Sequence, residues 1–131
     1  MGATITLDYI THRYRADGPT TLENIDNRID AGERVALIGR SGCGKSTLLH
    51  MLAGLLLPSE GCVRINSHQV TKPSAKWNMM FQKPSLYPWM SVQENAALGL
   101  LFAGMGKQEA ARRVGELLDK VGLHDKKDVN V

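Results

Sequence analysis

Apolar and polar positions alternate from the start of the chain: Ile5, Leu7 and Tyr9 flank Thr6 and Asp8, the period of a half-buried strand. Arg15 to Pro19 holds Asp17-Gly18-Pro19, a turn, and Leu22 to Ile29 reads as a second strand. A tight turn, Ala31-Gly32-Glu33, leads into Arg34–Gly39. The unbroken apolar run Val35 to Ile38 within it predicts a strand buried on both faces. Lys45 to about Leu56 follows as a helix that must stop before Pro58. Cys62 to Ile65 and Asn78 to Phe81 are short strand candidates. Met90 to Met105 reads as a helix interrupted near Gly99 and Gly104. Gln108 to Val121 is amphipathic, with Ala111, Val114, Leu117, Leu118 and Val121 on one face. No internal repeat or low-complexity segment interrupts this order.

Composition narrows the class. The 131 residues suit one domain, and 43% apolar with 22% charged residues is a globular balance. The net charge is +3 and the pI about 9.0. The excess lies from Gly61 onward, with ten Lys and Arg against six Asp and Glu; six face seven before it. A basic half can meet nucleic acid or phospholipid. Stacking aromatics are scarce and no dense Lys/Arg run exists, so no nucleic-acid partner is expected. Cys43 and Cys62 lack metal-ligand spacing and fit a reduced, cytosolic setting. No run reaches the roughly 18 apolar residues of a membrane span. The N-terminus lacks the basic start and apolar stretch of a secretory signal.

The chemistry concentrates at Gly39-Arg40-Ser41-Gly42-Cys43-Gly44-Lys45-Ser46-Thr47, which satisfies G-x-x-x-x-G-K-[ST]. Phosphate oxygens need many donors at close range, and glycines let backbone N–H groups turn inward without a Cβ in the way. The helix starting near Lys45 adds its N-terminal N–H groups and the positive end of its dipole. Lys45 brings a mobile charge to the β and γ phosphates, and the Ser46 hydroxyl offers itself to Mg²⁺. The segment lies between an apolar strand and an apolar helix, the context this mechanism demands. A nucleoside triphosphate, ATP with Mg²⁺, is the expected ligand. Cys43 is expected to contribute its backbone, its thiol being incidental.

Around this loop the chain resembles the ATP-binding subunits of ABC transporters. AGERVALIGRSGCGKSTLLHMLAGLLLPSEGCVRIN follows that family's strand, loop, helix and next strand. The resemblance implies an α/β fold. It would be a P-loop NTPase core carrying an N-terminal antiparallel β subdomain and the start of an α-helical subdomain, over residues 1–33, 34–82 and 83–131 with the core in the middle. It implies that Tyr14 stacks on adenine; a half-buried strand tyrosine is the plainer reading. It implies that Gln82, in MMFQKPSLYPWMSVQENAALGL, is the family's mobile glutamine, binding the Mg²⁺ shell. Within the family, Leu86 to Trp89 and SVQENAALGL most resemble ATPases of nitrate, sulfonate and taurine importers. Gln82 to Val92, with Tyr87 and Trp89, is then the expected contact with a membrane permease, unless Trp89 caps a local core. A second ATPase subunit, as a homodimer, and a place on the inner face of the cell membrane complete that picture. Lys76-Trp77, Asn27 and Ser67 depart from the importer pattern and bear on subgroup and substrate rather than on the nucleotide site.

Three further family elements are not found in residues 1–131: the LSGGQ-like signature, four apolar residues followed by Asp-Glu, and a late switch histidine. Asp119 reads as a surface acid on an amphipathic helix. His12, His50, His68 and His124 are not placed to act as the switch. Hydrolysis needs a water-positioning carboxylate and a second group on the γ-phosphate. The chain alone is therefore expected to bind ATP and turn it over negligibly. A nucleotide-binding module without hydrolysis is the alternative. A small phosphate-loop kinase would need an arginine-bearing lid, and Arg112-Arg113 is the only arginine pair.

Overall fold

The computed structural model describes residues 2–131 and divides into two compact units, Met1–Met80 and Phe81–Val131. In the first, β1 (Ile5–Arg13), β2 (Thr20–Ile29), β3 (Glu60–Ile65) and β4 (His68–Gln69) form an antiparallel sheet in the order β2-β1-β3-β4. One helix, α1 (Lys45–Leu52), packs against it. Leu7, Ile10, Leu22 and Val63 from the strands meet Leu48 and Met51 of α1, with Val70 beside them.

The alternation in β1 does not run as its spacing predicts. Leu7 pairs with Asn27 and Ile10 with Ile25, so three steps on β1 answer two on β2. The same mismatch recurs against β3, between Asp8 and Thr11. Tyr9 is at φ 48° within this bulge and is 63% exposed, while Ile10 is fully buried. One extra residue reverses the inward phase of a strand. The inward set is Ile5 and Leu7 before the bulge, then Ile10 and His12 after it.

Two expected strands are not formed. Residues 34–39 have no ladder partner among the described residues, and Val35 and Ile38 are 62% and 90% exposed. Residues 78–81 likewise lie outside any strand, with Met80 exposed. A strand buried on both faces needs neighbours on both edges, and the four strands that do pair lie in a separate antiparallel ladder. Asn27 pairs with Leu7 of the inward set yet is itself exposed on the edge strand β2, and Asn66 and Ser67 make the two-residue β3–β4 turn.

The second unit packs α2 (Val92–Phe102) on α3 (Lys107–Lys120) through Ala97, Ala110, Val114 and Leu118. Ser91 caps α2: its Oγ accepts from the Glu94 N–H, and the Glu94 carboxylate accepts from the Ser91 N–H. Gly99 lies inside α2 without interrupting it, contrary to the periodicity reading. The buried stripe of α3 is Ala110, Val114 and Leu118, and Leu117 and Val121 face outward. A single partner helix covers a narrower stripe than the amphipathic pattern marks out. The three α-helices among the described residues end alike. The N–H groups of Gly54, Gly104 and Gly122 and of the residue after each reach back to the last turn, each glycine at positive φ. That ends α1 at Leu52 rather than near Leu56. No helix among the described residues is long and apolar enough to cross a membrane.

Candidate functional site

Residues 39–43 run exposed into α1, and Gly44 is the helix N-cap. Gly42 is at φ 78° and Gly44 at φ 98°, backbone that a side chain would strain. No side chain caps the helix. Its first internal bond runs from the Leu48 N–H to the Gly44 carbonyl at 2.9 Å, so the N–H groups of Lys45, Ser46 and Thr47 precede the ladder. They share the positive end of the α1 dipole. No acidic residue occurs from Arg34 to Ser59, whereas Arg34, Arg40 and Lys45 bring three cations. An uncapped N-terminus, glycines that leave the backbone bare and an acid-free stretch together suit a polyanion.

Lys45 folds over the loop. Its Nζ donates to the carbonyls of Gly39 and Arg40, both at 2.7 Å, and lies 3.7 Å from Cys43 Sγ. A Cβ on Gly39 would meet Cys43 Sγ at 2.7 Å, and one on Gly44 would meet Leu22 Cδ2 at 2.7 Å. Ser46 is exposed in the first turn of α1. Ser41 and Arg40 are exposed in the loop, and so is the Cys43 thiol. Among the described residues no cluster of three His, Cys, Asp or Glu could hold a metal by protein ligands alone.

Tyr14 reaches this loop because of the β1 bulge. The shifted phase carries Ile10, His12 and then Tyr14 toward α1. The Tyr14 hydroxyl lies 2.9 Å from Thr47 Oγ1, and its ring meets His12 edge to face, with centroids 4.8 Å apart. Thr47 is buried, while the Tyr14 ring is 64% exposed. The contact with Thr47 was not readable from spacing, since it depends on one unpaired residue, Tyr9, five positions upstream.

Gln82 belongs to the second unit and lies exposed at a bend in the irregular stretch before α2. In the same stretch the Tyr87 and Trp89 rings pair with centroids 5.2 Å apart. Trp89 is 71% exposed, so it does not cap a core. Asn95, which the sequence reading passed over, holds this turn. Its Oδ1 accepts from the Tyr87 N–H at 2.8 Å, and its amide nitrogen donates to the Tyr87, Met90 and Ser91 carbonyls. The arginine pair on α3 engages its own helix: Arg112 binds Glu109 and Glu116, and Arg113 binds Glu109.

The bare loop, the helix it feeds and the antiparallel sheet packed on that helix define a phosphate-loop protein with an added β subdomain. Residues 22–131 match the ABC transporter family, and the chain belongs to it. It is 42% identical over 112 residues to the taurine import ATP-binding protein TauB of Roseobacter denitrificans, covering 86% of this chain and 42% of that protein. It is 43% identical over 102 residues to the nitrate import ATP-binding protein NrtD of Synechocystis, covering 78% of this chain and 38% of that one. The bicarbonate transport ATP-binding protein CmpC of Synechococcus elongatus is 44% identical over 104 residues, 78% of this chain and 16% of that protein. A dimeric ATP-binding cassette in a post-hydrolysis state with ADP and phosphate superposes with a TM-score of 0.80 at 27% identity. The match covers 96% of this chain and 61% of that one. The chain thus spans less than half the length of these curated relatives.

Proposed function

We propose that this chain is the nucleotide-gripping part of an ATP-binding subunit that drives import of a small solute such as taurine, nitrate or bicarbonate. The geometry of Gly39–Thr47 carries the reading: an uncapped helix N-terminus at Gly44, with Lys45 folded over the loop that precedes it. The N–H groups of Lys45, Ser46 and Thr47 bind phosphate oxygens, and the Lys45 ammonium exchanges loop carbonyls for the β and γ phosphates. Ser46 would supply a hydroxyl to Mg²⁺ and Gln82 an amide oxygen to its shell, the ion contributing positive charge against the phosphates. The exposed face of Tyr14 receives adenine. Gln82 to Val92, with the exposed Tyr87–Trp89 pair, meets the permease, and a second subunit completes the catalytic site on the inner face of the membrane. The importer assignment rests on the taurine, nitrate and bicarbonate relatives.

Calorimetric titration with Mg-ATP tests it. The chain is expected to bind ATP and to hydrolyse it negligibly by itself. Lys45→Ala is expected to weaken binding severely. Equal affinity in that variant removes the site assignment.

A further inference from the structure

His12 is the most buried ionisable ring in the first unit, at 6% exposure. Its neighbours define its chemistry. Ser59 Oγ lies 3.3 Å from His12 Nδ1, accepts from the Arg13 N–H at 3.1 Å and donates to the Arg13 carbonyl at 3.3 Å. A hydroxyl has one proton and two acceptor sites. With that proton on the Arg13 carbonyl, all three contacts are satisfied only if Nδ1–H donates to Ser59. Nε2 is then a bare acceptor, and it is the one fully buried side-chain nitrogen or oxygen among the described residues without a hydrogen-bond partner.

A buried polar atom without a partner costs stability, so a site that keeps one has a reason beyond packing. The ring is pinned by Ser59, whose own N–H donates to the Thr11 carbonyl at 2.9 Å. Its other contact is Tyr14, at an interplanar angle of 82°. Tyr14 is held at two points, its hydroxyl by Thr47 Oγ1 and its ring by His12, while most of the ring remains in solvent. An exposed tyrosine ordinarily samples several rotamers. Here a rigid line runs Ser59–His12–Tyr14–Thr47, from the start of β3 to the first turn of α1.

We infer that His12 is a positioning residue for base recognition: it fixes the Tyr14 ring so that a free face meets the adenine of a nucleotide whose phosphates lie on Gly39–Thr47. This rests on the reading of Tyr14 as the adenine platform. Ordering the ring before binding removes a cost that binding would otherwise meet. The effect should fall mainly on the base, because His12 meets the Tyr14 ring edge to face and reaches Thr47 through the Tyr14 hydroxyl.

The test compares Mg-ATP with inorganic tripolyphosphate, which offers the phosphates without the base, by calorimetry on the whole chain. His12→Leu fills the volume without an aromatic edge; His12→Phe keeps the edge. An edge-to-face pair predicts that His12→Leu weakens ATP about threefold to tenfold and leaves tripolyphosphate unchanged, with His12→Phe retaining both. Equal weakening of both ligands by His12→Leu, or identical behaviour of the two variants, overturns the inference. Tyr14→Ala separates it from its premise. If that variant leaves the preference for ATP over tripolyphosphate intact, Tyr14 is not the platform and the role of His12 falls with it. If the wild-type chain binds neither ligand, the phosphate-loop reading fails first.

Discussion

Lys45 Nζ donates to the Gly39 carbonyl oxygen at 2.7 Å, bridging the two ends of the phosphate loop. Both partners are solvent-accessible, so water can replace the ammonium at that carbonyl. Lys45→Ala is therefore expected to change stability by no more than about 0.5 kcal/mol. Its effect on Mg-ATP should be far larger, at least about tenfold, because a charge-assisted bond to phosphate is lost. Denaturation midpoints and calorimetric affinities measured side by side check this. A large stability loss would mean the lysine holds the fold rather than the ligand.

Gly39 and Gly44 are both motif glycines, but they face different walls. A Cβ on Gly44 meets Leu22 Cδ2 at 2.7 Å and the Thr21 carbonyl oxygen at 3.0 Å, and its φ of 98° disfavours any side chain. Gly44→Ala is expected to destabilise by about 1–3 kcal/mol. A Cβ on Gly39 meets only the Cys43 side chain at close range. Gly39→Ala should be milder, and Cys43→Ala in the same chain should relieve it. Urea denaturation of the two single variants and the double variant decides; no relief in the double variant would refute the clash.

Much of this site was legible because its chemistry is local. Gly39 to Thr47 carries its own turn glycines and its own helix start, whereas the end of α1 at Leu52 lies well before the Pro58 that the pattern points to. The glutamine and aromatics after residue 81 could likewise be picked out by order along the chain. What depended on distant pairing was not legible. The apolar run Val35 to Ile38 has the composition of a buried strand, yet strand formation requires partners that no local pattern supplies. The bulge at Tyr9 left no mark in the alternation, since Ile10 is as apolar as Tyr9 and either phase can be read. Nothing local to His12 in the sequence marks it, and its contacts with Ser59 and Tyr14 depend on distant pairing.

Acid should loosen the second unit first through Glu109. Hydrogen bonds from Arg112 and then Arg113 hold its carboxyl down to about 2, below its ordinary 4.5. A carboxylate depressed in the folded state stabilises above its unfolded value and loses that contribution as pH falls through the folded one. Stability should thus decline as pH drops from about 4.5 toward 2, and Glu109→Gln should flatten that decline. Asp8 adds the same sign in the sheet, where Arg64 and then Cys62 lower its pKa. Urea midpoints across this range test the pair; an unchanged slope in Glu109→Gln would exclude the arginine contacts as its source.

Asn95 makes the strongest claim on the exposed aromatic turn. Its side chain bonds both the N–H and the carbonyl of Tyr87 and also reaches the Met90 and Ser91 carbonyls, fastening residues 87–91 to the first turn of α2. Trp89 needs that anchor, because its ring is mostly in solvent and meets the Tyr87 ring at 5.2 Å. Asn95→Ala removes the anchor and should cost about 1–3 kcal/mol. In a Trp77→Phe background Trp89 is the sole tryptophan, so its fluorescence anisotropy reports the turn directly. The anisotropy should fall in Asn95→Ala and also in Asn95→Asp, which keeps the acceptor for the Tyr87 N–H but has no amide to donate. If anisotropy holds in both variants, the turn is ordered by something other than Asn95. An ordered Trp89 would then owe nothing to α2, and the aromatic face proposed for the permease would have to be stiffened from the Gln82 side.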